Sequence, residues 1–167
     1  ETKNLVNVLG SNVTYDETSD LKRFLTAHGY RVSNIADYTD FDSFMEMASA
    51  KLNLITSPIA FKTAEMMEKE FGTPYLTAYV SYDPEEIMEV YRKLQKVLGL
   101  DFGPALEQEK EKACEEIRKT KEIIGNYPIA VDYQAVLRPY NLALMMSKNG
   151  FHMGMVASDS VSAFEKV

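Results

Sequence analysis

The residues with the most chemical promise lie where short apolar runs give way to helix starts. Thr56, Ser57 and Pro58 follow the run Leu52 to Ile55, and Arg138 and Pro139 follow the run Ile129 to Val131 at some distance. Between the latter two lie Asp132, Tyr133, Gln134, Ala135, Val136 and Leu137. A strand-to-helix connection usually takes about 2–6 residues, so this one is long and exposes a stretch of backbone beside Arg138. A guanidinium there offers a fixed fork of donors to an anionic ligand, or to a neighbouring acid in a surface salt bridge. The Gln134 amide is a weaker polar candidate in the same loop. Ser57 can cap a helix; with Thr56 and the free amides of a helix start it can equally hold an anion.

Other chemistry is poorly supplied. The turn Gly10–Tyr15 (G-S-N-V-T-Y) has one glycine, lacks the G-x-G-x-x-G fingerprint, and reads as a tight turn. No G-x-x-x-x-G-K-[ST] loop is present, which argues against a built-in ATPase. Cys114 is the only cysteine, so no intrachain disulfide or Cys-based cluster site can be made from these residues alone. His28 and His152 are too far apart in sequence to suggest a metal site, and no acidic pair is spaced as a catalytic dyad. The catalytic residues are therefore unassigned and no metal ligand is expected. The nine methionines read as core filler.

Composition is that of an ordinary soluble globular protein, with 46% hydrophobic and 26% charged residues. A net charge of −7 supplies no cation excess for displacing phosphate counterions, so no nucleic-acid partner is expected. No stretch approaches the roughly 18 apolar residues of a membrane span, and no signal peptide is visible. A cytoplasmic location follows as the expectation. The chain opens on Glu1 with a strand-like run close behind, and Val161 to Val167 resembles the start of a helix, so it reads as a piece of something longer.

The elements that must position these residues alternate. Strands are expected at Leu5–Leu9, Tyr30–Ile35, Leu52–Thr56 and Tyr75–Ala78, with helices near Ser19–His28, Phe41–Ser49, Pro58–Phe71 and Pro84–Leu98. Asp83, Pro84 and Glu86 predict a capping box, and Ile87, Val90, Tyr91, Leu94 and Leu98 a buried face. Pro104–Ile124 reads as one long, highly charged helix with a narrow stripe of Leu106, Ala113, Ile117 and Ile124. It is either a solvated connector or, less readily, a coiled-coil partner. The pattern then restarts with strands Ile129–Val131 and Phe151–Val156 around a helix beginning at Pro139. The expected fold is α/β: a doubly wound, three-layer, mainly parallel Rossmann-like sheet. The expected organisation is an α/β domain over residues 1–102, a linking helix over 103–125, and part of a second α/β unit over 126–167.

Two segments together resemble the nitrogenase component 1-type oxidoreductases. That group includes the nitrogenase molybdenum–iron protein subunits, cofactor-assembly scaffolds and dark-operative protochlorophyllide reductase subunits. The first segment is L-N-L-I-T-S-P…A-E-M-M-E-K-E-F-G-T-P-Y at Leu52–Tyr75. The second is N-Y-P-I-A-V-D-Y-Q-A-V-L-R-P-Y-N-L-A-L-M-M…G-F-H-M-G-M-V at Asn126–Val156. V-N-V-L-G and D-L-K-R-F-L…H-G-Y-R-V also look like the family's central domain. The resemblance implies three Rossmann-like domains per subunit, a homologous second subunit, and electrons delivered by a separate ATP-dependent iron–sulfur reductase.

By resemblance, an iron–sulfur cluster or related metallocluster belongs to the full-length assembly, held mostly by cysteines of an N-terminal domain not represented here. No cofactor is expected within these residues, and this piece alone is expected to be redox-inactive. The resemblance places a cysteine cofactor ligand near the Thr56–Ser57 turn, where this chain has Ser57. It also implies a glycine-rich turn ending in Leu-Arg-Pro beside the cofactor. Leu137, Arg138 and Pro139 are retained, but Tyr133–Val136 carries no glycine. The cofactor-contact candidates are thus Arg138, Ser57 and Gln134. A competing expectation is a metal-chelate or other small-molecule binding protein with two α/β lobes and no catalysis. A sugar-nucleotide-binding domain is a third, without a motif to support it.

Overall fold

The computed structural model of the chain describes residues 3–158, and the helix expected over Val161–Val167 lies outside the described residues. The chain divides into two units. One comprises Glu1–Tyr79 with Lys93–Asp101, the other Val80–Arg92 with Phe102–Val167.

The first unit is built on strands β1 (Leu5–Leu9), β2 (Arg31–Ser33), β3 (Leu52–Ile55) and β4 (Tyr75–Thr77). All three pairings are parallel and the order is β2-β1-β3-β4. Helices α1 (Asp20–Ala27), α2 (Phe41–Met45) and α3 (Phe61–Phe71) make the crossovers, and helices pack on both sides of the sheet. Every residue of β1 and β3 is buried, as expected for central strands covered on both faces. Such strands have no solvent face, which is why L-V-N-V-L and L-N-L-I do not alternate in polarity. Asn7 and Asn53 are the polar exceptions. They are register partners on adjacent strands, and the Asn7 amide donates to Asn53 Oδ1 at 2.8 Å and to the Met47 carbonyl at 2.9 Å.

Several expected elements shorten or split. The second strand stops at Ser33 because Asn34 turns the chain, its side chain accepting from the Ala36 amide to cap a short 3-10 turn over Ile35–Asp37. The helix expected over Phe41–Ser49 is α-helical only to Met45 and tightens into a 3-10 segment, Glu46–Ser49. Pro58–Ala60 is likewise a 3-10 turn leading into α3. Gly72 ends α3 with a left-handed backbone, φ 72°, its amide bonding the Glu68 carbonyl at 2.9 Å.

Helix α4 (Pro84–Leu98) lends its first turns to the second unit and its last to the first. The expected capping box does not form. The Asp83 carboxylate does accept from the Glu85 amide at 2.9 Å, but the Asp83 amide bonds Ser81 Oγ, and Glu86 accepts from Ser81 and Asn141 instead. Met88 and Leu94 are its buried apolar residues, whereas Ile87 is 39% exposed.

In the second unit, α5 (Pro104–Ile124) is a single helix of 21 residues. Of its apolar stripe only Leu106 is buried; Ala113 is exposed, and Ile117 and Ile124 are half-buried. Strands β5 (Ile129–Asp132) and β6 (Met153–Ala157) pair in parallel around α6 (Pro139–Lys148), with a register shift at Ile129/Ala130.

Candidate functional site

In a 2-1-3-4 parallel sheet the chain leaves β1 towards one edge and returns to β3 on the other side. The connections therefore diverge at the carboxyl ends of β1 and β3, leaving a crevice there. Gly10 and Thr56–Ser57 occupy those two ends. Gly10 has φ 101°, and a Cβ at this position would stand 2.8 Å from the Ser57 amide nitrogen and 2.9 Å from its Cβ. Glycine is therefore required both by backbone conformation and by the close approach of the two turns. Tight-turn geometry alone understated its role.

Hydroxyls gather at this junction. Thr56 Oγ1 donates to the Leu9 carbonyl at 3.0 Å. The Tyr15 hydroxyl bonds to Thr56; burial pushes its acidity constant above the ordinary tyrosine value, and the Thr56 bond partly offsets that. Ser11 Oγ bonds the amide and carbonyl of Val13, and the buried Asn34 side chain donates to that same carbonyl. The loop after β1 is thus pinned to the end of β2. Ser57 makes no side-chain capping bond, contrary to the capping expectation, because the 3-10 turn is closed by its own carbonyl, which accepts from the Ala60 amide at 3.1 Å.

Beside this junction lies a cavity of about 230 Å³. Leu9, Met47 and Ala60 form its buried floor, and Thr63 and Met67 of α3 one wall. Gly10, Ile35 and Phe44 complete the lining, and Ile35, 56% exposed, marks the opening to solvent. Nothing charged lines it. A second, polar depression of about 390 Å³ lies at the end of β2, but its charged groups are already engaged: Lys22 with Glu17, Arg31 with Glu46, and Asp40 with the Ser43 amide.

The other two candidate residues belong to the second unit. Arg138 immediately precedes α6, is only 8% exposed, and donates through a guanidinium nitrogen to the Val80 carbonyl at 2.7 Å. Close in sequence, Asn141 accepts from the Tyr82 amide at 2.9 Å and from Ser81, and donates to Glu86. Together Arg138 and Asn141 tie residues 80–82 to the start of α6. Gln134 is exposed in a turn organised by Asp132, whose carboxylate accepts from the Gln134 amide at 3.0 Å and the Ala135 amide at 2.9 Å. The long connection is therefore an ordered turn. Leu137, between them, is exposed. Ser57 and Arg138 thus stand in different units, while Arg138 and Gln134 share one.

The histidines serve backbone. His28 caps α1, its ring nitrogens lying 2.8 Å from the Phe24 carbonyl and 2.9 Å from the Asp101 carbonyl, and exposed His152 lies beside the Asn126 carbonyl.

A sequence model of the nitrogenase component 1 type oxidoreductases matches residues 1–163. The chain belongs to that family. Curated protein sequences yield no match. Among solved structures, "Nitrogenase Cp1 at pH 6.5" superposes with a TM-score of 0.57 at 19% identity, over 99% of this chain and 36% of that one. "Nitrogenase Cp1 at pH 5" gives 0.58 at 22% identity, over 100% and 35%. The nitrogenase-type chain described here therefore spans about a third of the length of these neighbours, and shares their fold.

A metallocluster needs thiolate, imidazole or carboxylate donors converging on one point. Among the described residues no three His, Cys, Asp or Glu side chains do so. Cys114 is exposed on α5, and the turn after β3 offers Ser57 in place of a thiol. The described residues do not fit a resident cluster. No helix among the described residues is long and apolar enough to cross a membrane.

Proposed function

We propose that this chain is part of a nitrogenase-like oxidoreductase subunit whose intact form binds a metallocluster or substrate and takes electrons from a separate ATP-dependent iron–sulfur reductase. The observation that carries the reading is the family match over residues 1–163, supported by the parallel β2-β1-β3-β4 sheet. In this reading the cluster's ligands come from elsewhere in the assembly, from other parts of the subunit or from a homologous second subunit, and the protein works in the cytoplasm. An α/β domain over 1–102, a linking helix over 103–125 and part of a further α/β unit over 126–167 would be its contribution.

Among the three contact candidates, Ser57 is the best placed for a bound group, because its hydroxyl makes no capping bond and it sits at the strand junction. Arg138 acts chiefly as a positioning residue for residues 80–82, and Gln134 as an exposed contact on the Asp132 turn.

The test is anoxic purification of the protein from its full reading frame together with its partner subunit, followed by iron determination and visible absorption. The reading expects bound iron and broad charge-transfer absorption that bleaches on reduction by the iron–sulfur reductase with ATP. A colourless, iron-free complex overturns it.

A further inference from the structure

We propose that the cavity beside the carboxyl end of β1 binds a small, uncharged, ring-bearing organic molecule, and does not seat a metal cluster. The inference goes beyond the family reading and stands whatever redox chemistry the assembly performs.

Three observations carry it. The cavity lies beside the carboxyl end of β1, the switch-point side of the sheet, between the turn after β2, the segment 44–47 and the start of α3. Its lining is apolar except for the Thr63 hydroxyl and offers two neutral thioethers but no thiolate, imidazole or carboxylate to charge-balance a cluster's iron, and no cation for an anionic cluster or phosphate. Its volume also sets the scale. A dry cavity of about 150 Å³ lined by Leu, Ile and Phe holds benzene. At about 230 Å³ this one has room for a further fused ring.

The walls suit such a guest. Met47 and Met67 are flexible and polarizable, and thioethers make favourable contacts at the edges of aromatic rings. The Phe44 ring stands at the mouth, itself packed edge-on against Tyr38 at 6.2 Å between centroids. Thr63 provides a single hydroxyl, enough to orient one polar atom of a guest without favouring a charged one.

Indole is the probe, and the methionine ε-methyl groups of the 167-residue chain are the reporters, assigned through Met47→Leu and Met67→Leu. Indole should shift the Met47 and Met67 signals saturably within its aqueous solubility and leave those of Met145 and Met153 unmoved. Indole-3-carboxylate should bind at least tenfold more weakly. Thr63→Phe, a filling substitution from an exposed helical position, should weaken indole binding at least tenfold with the far-ultraviolet dichroism unchanged.

Absence of saturable shifts, shifts spread equally over all methionines, or equal binding of the carboxylate would each overturn the proposal. These arms use the unaltered fold, so they decide even if Thr63→Phe does not fold. Addition of ferrous iron and sulfide should leave both signals in place; paramagnetic broadening confined to Met47 and Met67 would overturn the exclusion of a cluster. Failure of the family reading would appear separately, as missing iron in the full-length complex.

Discussion

The two parallel sheets of this chain are held by different physics. In the first unit β1 and β3 are buried along their whole lengths, and the strand ends come close enough that only glycine fits at position 10. In the second unit β5 buries only Val131 and β6 buries no residue fully, with Met155 58% exposed. Beside buried apolar residues on its helices and loops, such as Leu106, Ala143 and Phe151, that unit carries a polar set: Arg138 on the Val80 carbonyl, Asn141 on Tyr82, Ser81 and Glu86, and Lys148 on Asp83. Apolar burial gives the first unit a rigid frame that can hold a cavity open. The hydrogen-bonded network gives the second a precise register for residues 80–83 with less apolar support.

Truncating a core side chain in each sheet is the strongest way to break that contrast. Leu54→Ala removes a fully buried side chain from β3 and should cost about 2–5 kcal/mol. Met155→Ala in β6 should change stability by less than about 0.5 kcal/mol. The chain has no tryptophan, so hydrogen exchange read peptide by peptide is the suitable measurement, and it also assigns each loss to its unit. Equal losses from the two substitutions would mean that β6 is covered as thoroughly as β3.

Next in size is Gly10→Ala. It meets both an unfavourable φ and a contact under 3 Å with Ser57, and should cost about 3 kcal/mol. Gly72→Ala has a similar sign of φ but open space around it, and should cost about 1 kcal/mol. The difference isolates the close approach of the two turns from backbone strain. Were both substitutions to cost the same by thermal unfolding, the turns after β1 and β3 would not be in contact.

Much of the frame was legible in the residues, because local signals decide it. The bounds of β1, α4 and α5 follow from apolar runs, Asp83–Pro84 and Pro104, all within a few positions of the element they start or end. The cavity was not legible. Leu9, Ile35, Phe44, Met47, Ala60 and Met67 come from separate elements, and none has a type or spacing that suggests a ligand. Gly10 was the one available signal, and reading it as a plain turn missed that Ser57 stands against it. Arg138 was visible as a candidate by type and by its place before Pro139. It donates to the Val80 carbonyl, 58 residues away, and a backbone acceptor leaves no mark in the sequence. The capping box failed for a related reason: Asn141, from another helix, claims the Glu86 carboxylate.

The polar network can be tested directly. Asn141 is 1% exposed, and Asn141→Ala would strip the Tyr82 amide and Glu86 of a partner. Leaving buried polar groups unsatisfied costs about 1–3 kcal/mol. The loss should appear as faster exchange in residues 80–92 and α6, with β1 and β3 unaffected. Faster exchange in β1 instead would show that the network is not confined to the second unit.

The smallest expected effect concerns the Asp83–Lys148 pair, 2.9 Å apart. Burial works to raise the Asp83 acidity constant, but the Lys148 hydrogen bond and charge and the amides of Glu85 and Glu86 outweigh it, so the constant lies below the usual carboxylate value. The Lys148 constant lies above the usual lysine value because of its hydrogen bond and attraction to Asp83. A carboxyl group depressed in the folded state contributes stability above its unfolded value, about 3.9, and loses it as pH falls through the lower folded one. The raised lysine contributes below its unfolded value, about 10.4, and loses that as pH rises through the folded one. The pair's contribution should thus be level from about pH 5 to 9 and decline on either side. Because Lys148 is half exposed and solvent screens the pair, this is the smallest of the expected effects. Asp83→Asn keeps a side-chain oxygen for the Glu85 amide and removes the charge, separating capping from ion pairing. Stability of wild type and Asp83→Asn should differ at pH 7 and converge as pH falls through the lowered folded constant. A gap that stays as wide throughout the acid range as at pH 7 would mean that Asp83 acts through its cap alone, and that the second unit owes nothing to this charge.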